Sequence, residues 1–270
     1  MFRRCSCARK GVGVHTVRRG GQPPPYGGGH IQLAEWGYAR LSETYMKLVR
    51  LLHRFLVRQA MPAAAIRYYE RLSDAVAGFY LAPLCDDIAR EIAPDARILD
   101  VGTGPGHLPV LLATRNPRWH VTAVDLAPAC IRAARARAER AGVAERVSFV
   151  CGNAAAVNDR FDLVVSTCSL HHWRYPRREL ARMAVLLKPA GQIWVLDDAA
   201  EATAAARHAW VLRVEGAFDA GRLFRTVFLF ESRHLAYRER ELRRLAQRAG
   251  LEVRSWQQRD VFFLAKFFVP

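Results

Sequence analysis

Between Ile98 and Gly106 the chain reads Ile-Leu-Asp-Val-Gly-Thr-Gly-Pro-Gly, an apolar run that breaks into a turn holding three glycines. Nineteen residues after Gly106 a second apolar run, Val121 to Asp125, ends in a carboxylate. This pairing constrains the fold more than anything else in the sequence. A buried strand delivers a turn of minimal bulk, so its backbone can approach a ligand closely. The following stretch, with Leu108, Leu111 and Leu112 on one face, reads as a helix whose N-terminal N–H groups point at that ligand. The second strand then sets Asp125 beside the first, where a carboxylate can bridge two ribose hydroxyls.

The glycine spacing narrows the ligand. A dinucleotide fingerprint is G-x-G-x-x-G, its third glycine admitting close helix–strand packing. Here Gly102, Gly104 and Gly106 alternate, Asp100 opens the run, and His107 stands where a dehydrogenase has glycine. The pattern D-x-G-x-G-x-G resembles that of the class I S-adenosylmethionine-dependent methyltransferases of small-molecule type. Later segments carry the same resemblance. Val147 to Val150 is a short strand followed by Cys151-Gly152-Asn153-Ala154-Ala155, and Phe161 to Ser166 is another, leading into Thr167-Cys168-Ser169-Leu170-His171-His172-Trp173. Leu186-Leu187-Lys188-Pro189-Ala190-Gly191 is similar to the family's L-K-P-G-G turn, with Ala190 in place of the first glycine, and Gln192 to Asp198 reads as a fifth strand.

The resemblance covers residues 62–198 and 236–270. It implies a Rossmann-like α/β fold: a seven-stranded, mostly parallel sheet with helices on both faces, an antiparallel C-terminal strand pair and N-terminal helices. It also implies S-adenosylmethionine as cofactor. The residues it assigns to that ligand are Asp100, Gly102, Thr103, Gly104, Gly106, Asp125, Leu126, Asn153, Ala154, Thr167 and Leu170, with Asn153 placed to meet the adenine amino group. Independently of any resemblance, five helix–strand alternations argue for a parallel sheet covered on both faces. Ligands of such sheets sit at the carboxyl ends of the strands. Arg238 to Arg248 reads as a basic amphipathic helix closed by Gly250, and Leu251 to Trp256 with Val261 to Phe267 as the last strand pair.

Around this core the expected organisation is a basic, Gly/Pro-rich disordered tail over residues 1–36 and an N-terminal helical cap over 37–92. A cofactor-binding domain over 93–270 carries an insertion at about 200–237. The tail contains Pro23-Pro24-Pro25-Tyr26 and has no acidic residue before Glu35. It fits a transit peptide, or upstream sequence translated from a misassigned start, with Met46 and Met61 as alternative starts. In residues 38–59 the apolar positions Leu41, Tyr45, Leu48, Leu52 and Phe55 recur at helical spacing, with Arg50, Arg54 and Arg58 on another side. Two readings stay open: a helix packed on the catalytic domain, or one resting on a membrane surface as a peripheral contact. Ile66 to Ile88 is a second helical stretch, in which Tyr68 or Tyr69 either packs in the core or covers the cofactor.

Composition sets limits. With 270 residues, 51% of them hydrophobic, the chain can bury one large core. No apolar stretch approaches the roughly 18–20 residues that span a bilayer, and the start lacks the apolar core of a secretory leader. Cys130, Cys151 and Cys168 fall on or beside core elements and read as buried reduced thiols, so a cytoplasmic location is expected. Cys5-x-Cys7 offers two ligands without partners, and no metal is expected. The formal charge of +16 is concentrated in residues 1–60, where 11 basic side chains face 2 acidic ones. Only four of the 41 basic residues are lysine, a skew that codon usage explains without a polyanionic partner. Nucleic acid is therefore not the expected partner.

The chemistry expected is in-line displacement of an activated methyl group, for which the protein aligns the reactants and excludes water. His171, His172, Asp197 and Asp198 stand at strand ends. His172, and after it His171, are the candidate general bases, with a structural role in the loop as the alternative; Asp198 is read as bonding nearby backbone. Phe218, Leu223, Phe224, Val227, Phe228, Leu229 and Phe230 either wall an apolar acceptor pocket or pack the insertion onto the sheet. The leading reading is a methyltransferase acting on a small, partly apolar acceptor. An RNA or protein methyltransferase, and a cofactor-binding protein without methyltransferase activity, stay open, and the oligomeric state is not legible.

Overall fold

The computed structural model describes residues 48–53, 63–219 and 221–270. Expectations for the tail, for Cys5 and Cys7, for Met46 and Met61 and for most of residues 38–59 lie outside them. Strands β1 (Arg97–Val101), β2 (His120–Asp125), β3 (Val147–Cys151), β4 (Phe161–Thr167), β5 (Leu187–Asp198), β6 (Glu252–Arg259) and β7 (Phe262–Phe268) form one sheet in the order β3-β2-β1-β4-β5-β7-β6. Strands β1 to β5 pair in parallel, and β7 runs antiparallel between β5 and β6. The expected seven-stranded sheet is therefore present. Its central strands are near-continuous apolar runs because both of their faces are covered: Ile98, Leu99, Leu163, Val164, Val165, Ile193 and Val195 are all fully buried. Each such side chain contributes roughly 1.5–3 kcal/mol on leaving water.

The helices are α1 (Ala63–Glu91), α2 (His107–Arg115), α3 (Pro128–Arg140), α4 (Pro176–Val185), α5 (Ala204–Ala217), α6 (Gly221–His234) and α7 (Glu239–Gln247). Strand order reverses between β1 and β4, so the loops leaving these two strands diverge and open a crevice at their carboxyl ends. Helix α1 is tied down at its middle and at its end. Part-way along it, Asp74 accepts from His107 Nε2 and from Arg137, both at 2.8 Å. At its end, Glu91 takes both carboxylate oxygens to Lys266 Nζ at 2.6 Å, and that ammonium lies 3.9 Å from the centre of the Trp194 ring. A central-strand lysine is tolerable because its charge is paired and its stem covered. Among the described residues no helix is long and apolar enough to cross a membrane.

Three expectations need correcting. Arg50 does not line a basic outer side of its helix. It is 5% exposed, while Leu48, Leu51 and Leu52 are about half exposed. Its guanidinium makes two bonds to the Glu241 carboxylate, at 2.9 and 3.2 Å, and lies over the Tyr237 ring at 4.8 Å. A bidentate ion pair stacked on an aromatic ring outweighs the helical pattern that periodicity suggested. Cys151 is exposed, because the pleat at the end of an edge strand turns it outward, whereas Cys130 is buried and Cys168 half-buried.

The third concerns the turn expected at Leu186 to Gly191, which belongs to β5. The strand begins at Leu187, and between the pairs Phe161↔Leu187 and Leu163↔Gln192 its extra residues bulge out of register. Gly191 is required there, since a Cβ would lie 2.9 Å from the Phe161 carbonyl oxygen. Ala190 takes φ 62°, where a Cβ is unfavourable by roughly 1–2 kcal/mol. Ala190→Gly is therefore expected to raise unfolding stability by about 1 kcal/mol, after offsetting glycine's greater unfolded-state entropy. Urea denaturation reads this directly, and a loss of stability would contradict the left-handed geometry.

Candidate functional site

A cavity of about 370 Å³ lies across the carboxyl ends of four adjacent strands. β3 supplies Gly152 and Asn153 to its wall, β2 supplies Asp125 and Leu126, and β1 supplies Val101, Gly102 and Gly104. The loop after β4 adds Cys168, Ser169, His172, Trp173 and Tyr175, while α4 adds Glu179 and α1 adds Tyr69. A smaller space of about 40 Å³, lined by Thr103, Thr167 and Tyr80 among others, continues behind the glycine turn.

The three glycines serve different ends. Gly102 has φ 79°, and a Cβ on it would sit 2.2 Å from Ser169 Oγ, so the two loops can touch only without a side chain there. Gly104 has φ 53° and faces the Tyr69 ring, to which a Cβ would be 3.5 Å away. Gly106 precedes α2 with φ 81°, and a Cβ would meet Ala134 of α3 at 2.6 Å. Gly106 thus serves helix packing and is not a wall of the cavity. Arg137 of α3 donates from Nε to the Pro105 carbonyl at 3.0 Å and holds the turn from behind.

The carboxylates are arranged around this turn. Asp125 accepts from the Gly104 N–H at 2.9 Å and from the Ala127 N–H at 2.8 Å, one bond per oxygen. Each oxygen keeps a second lone pair for the cavity. Burial raises its pKa, and the two N–H bonds favour the ionised form. Asn153 is fixed at both ends of its amide: Oδ1 accepts from the Ala155 N–H at 3.1 Å, and Nδ2 donates to Glu179 at 3.0 Å. Asp100 is fully buried beneath the turn beside the Thr103 hydroxyl, and among the described residues neither of its oxygens has a hydrogen-bond partner of good geometry. Burial, reinforced by the Asp125 charge, raises its pKa to about 7. An orphaned buried carboxyl behind a cradle of bare glycines fits a ligand with a cationic group and ribose hydroxyls.

The loop after β4 is organised by Asp197, at the end of β5. One of its oxygens accepts from the Ser169 and Leu170 N–H groups at 3.0 and 2.8 Å. The other meets His171 Nδ1 at 2.6 Å and the Asp198 N–H at 2.8 Å. The backbone-bonding role expected of Asp198 belongs to its neighbour. Asp198 lies fully buried nearby, with its pKa raised by burial to about 7. His171 is buried beside Asp197. Burial alone would lower its pKa, but the carboxylate charge and hydrogen bond overcome this and push it up to about 10. It carries its proton at neutral pH, lies outside the cavity and so is not a free base. His172 does line the cavity, its ring centre 3.9 Å from that of His171. Burial, and then the neighbouring imidazoles, hold it neutral. Cys168 has φ 47°, a left-handed kink that turns the chain out of β4. Trp173 Nε1 donates to Ser169 Oγ at 2.8 Å and closes the loop.

Of the residues singled out from sequence, the cavity gathers Gly102, Gly104, Asp125, Leu126, Asn153 and His172, while Thr103 and Thr167 border the smaller space. Ala154 and Leu170 are fully buried, with no surface toward the cavity. Tyr69 faces the glycine turn, whereas Tyr68 is partly exposed with its ring edge-on to Phe218. The insertion's aromatics do not line this cavity. Phe224 and Phe228 stack on each other and pack on the core, Phe230 stacks on His234, and the Leu223 side chain lies outside the described set. Sequence reading missed Glu179, Trp173, Tyr175 and Ser169. Glu179 had one signal, an acidic side chain in a helix's first turn. It also missed His53 and Glu231, whose ligand atoms lie with those of His172 within 4.8 Å of one another.

The comparisons with known proteins agree with this geometry. The family model described as "Methyltransferase domain" matches residues 72–255. The chain belongs to this family. It is similar to the demethylmenaquinone methyltransferase of Thermus thermophilus, 33% identical over 114 residues that cover 41% of this chain and 50% of the relative. It is also similar to the malonyl-[acyl-carrier protein] O-methyltransferase of Priestia megaterium, 30% identical over 98 residues, 36% of this chain and 34% of the relative. The chain thus spans half or less of the length of the curated relatives it matches. A solved S-adenosylmethionine-dependent methyltransferase from Aquifex aeolicus shares the fold at TM-score 0.59 and 16% identity, over 78% of this methyltransferase-family chain and all of the other. The family's cofactor is S-adenosylmethionine.

One consequence of the buried Asp100 can be measured. An acid whose pKa rises on folding keeps its proton after the unfolded chain has lost it, so stability falls as pH rises from about 4 to about 7. Asp100→Asn is expected to flatten this fall and to leave the cofactor-free chain more stable than wild type above pH 7. Chemical denaturation across this range checks it; an unchanged slope would refute it.

Proposed function

We propose that this chain transfers the methyl group of S-adenosylmethionine to a small, partly apolar acceptor. The observation that carries the reading is the charge of the cavity. In a chain of net charge +16, no lysine or arginine among the described residues lines it, while Asp125 and Glu179 do and Asp100 lies behind it. Such a site suits a ligand that is cationic at sulfur and nitrogen, and offers nothing to a pyrophosphate or a phosphodiester backbone. S-adenosylmethionine brings a methyl group on a sulfonium, which is displaced in line as the positive charge on sulfur is lost.

The protein's own part is to hold and enclose. Asp125 presents two free lone pairs to ribose hydroxyls, and Asn153, locked by Glu179, faces the base. Asp100, buried behind the turn, adds negative charge toward the ammonium end when it ionises. Tyr69 above the glycine turn and Trp173 behind Ser169 exclude water, which strengthens the electrostatic interactions beneath them. The acceptor would enter past His172, where the loop after β4 borders the cavity. The name of the Thermus relative, a methyltransferase of demethylmenaquinone, supports an organic acceptor of this kind.

The test is incubation with methyl-labelled S-adenosylmethionine and fractionated cell extract. Label is expected in a low-mass, organic-extractable product. Asp125→Ala should weaken cofactor binding about 100-fold by calorimetry, as removal of two charge-assisted bonds implies. Label in RNA or protein would overturn the acceptor class. Asp125→Ala binding as tightly as wild type would overturn the site.

A further inference from the structure

His53, His172 and Glu231 come from three separate elements, and their ligand atoms lie within 4.8 Å of one another. We propose that these three side chains form a binding site for a divalent transition metal ion, of the zinc or iron(II) class, beside the cavity. Two imidazoles and one carboxylate suit these ions, whereas magnesium and calcium take oxygen ligands. Such a three-ligand set leaves coordination positions open, and one of its ligands, His172, lines the cavity. Donors about 2.0–2.1 Å from one tetrahedral ion stand about 3.3 Å apart, so loading asks for side-chain movements of about 1 Å.

Preorganisation distinguishes this group from a chance cluster. None of the three side chains is fully exposed, and each stands next to a fixed point. Three residues before His53, Arg50 is locked into its buried pair with Glu241. Next to Glu231, the Ser232 carbonyl accepts from Arg207 Nη2 at 3.0 Å, and that buried guanidinium also bonds the carbonyls of Ala199, Ala200 and Ala202. Before His172, the Ser169 and Leu170 amides are held by Asp197. The rings of His53 and His172 stack with centres 5.7 Å apart. Use of the ion by an acceptor rests on the methyl-transfer reading above; binding of the ion does not.

The experiment titrates Co²⁺, then competing Zn²⁺, into chelator-treated full-length protein, reading the visible ligand-field absorption. One equivalent is expected to bind, with affinity at least about 100-fold weaker in His53→Gln and in Glu231→Gln, at unchanged metal-free melting temperature. A Cys5→Ser/Cys7→Ser variant should bind as wild type does. Absence of the ligand-field bands, unchanged affinity in both ligand variants, or loss of binding in the cysteine variant would overturn the site. Should the ligand variants fail to fold, X-ray absorption of the wild-type zinc complex decides: two imidazoles with oxygen donors support the site, and sulfur ligation overturns it. None of these readouts requires methyl transfer.

Discussion

A single buried carboxylate, Asp197, determines how this end of the sheet is built. It is fully buried, and a carboxylate without partners there would cost several kcal/mol. It has four donors: three backbone amides and one imidazole. Those donors come from the loop after β4 and from the end of β5, two segments that sheet pairing alone would leave to diverge. The bonds draw the loop against β5, fix Ser169 where Gly102 can receive it, and present His172 rather than His171 to the cavity. The short bond to His171 keeps that ring charged, so the pair is a buried ion pair held by geometry. Its contribution is specificity of the loop more than net stability.

The glycine turn depends on that loop and on helix α1. A turn of bare backbone cannot hold its own shape, and here its neighbours hold it. Arg137 grips the Pro105 carbonyl, His107 at the start of α2 bonds Asp74 of α1, and Ser169 fills the space that Gly102 leaves. Because α1 is also anchored to β7 through Lys266 and Glu91, Tyr69 is set above the turn by ion pairs at the middle and the end of its helix. His107, the residue that departs from the dinucleotide pattern, is thus the contact that brings α1 over the cofactor cleft.

What the sequence made legible was local. Apolar runs marked the strands of the parallel core, since parallel strands buried on both faces leave little alternation to misread. The glycines and Asp125 were legible because their spacing follows from one strand–turn–helix unit. Interactions between distant segments were not. The pairing of Arg50 with Glu241 spans 191 residues and reversed the reading of a helix whose period was correct. Nothing local distinguishes Asp197 from Asp198, because the choice depends on which one the pleat turns toward the neighbouring loop. His53, His172 and Glu231 lie in three segments with no fixed spacing. Ala190 was legible as an anomaly but not as a bulge, since the register of β5 against β4 is settled only when both strands are placed.

Global charge proved a poor guide to the site, and the reason is physical. Among the described residues most arginines lie on the surface, where water and salt screen each charge within about 10 Å. Inside the cavity screening is weak, and a few groups decide the potential. There the described walls carry carboxylates and neutral dipoles, with Asp100 behind them, while the charged His171 is paired with Asp197 and Arg207 bonds backbone carbonyls outside the cavity. A cationic ligand entering this space supplies what Asp100 lacks, and its binding should become tighter as that carboxyl ionises. The absence of basic side chains among the described residues of the cavity works against phosphate-bearing ligands. The proposed preference for a sulfonium over a dinucleotide rests on which charges the described walls of the cavity carry, with the glycine spacing setting the shape.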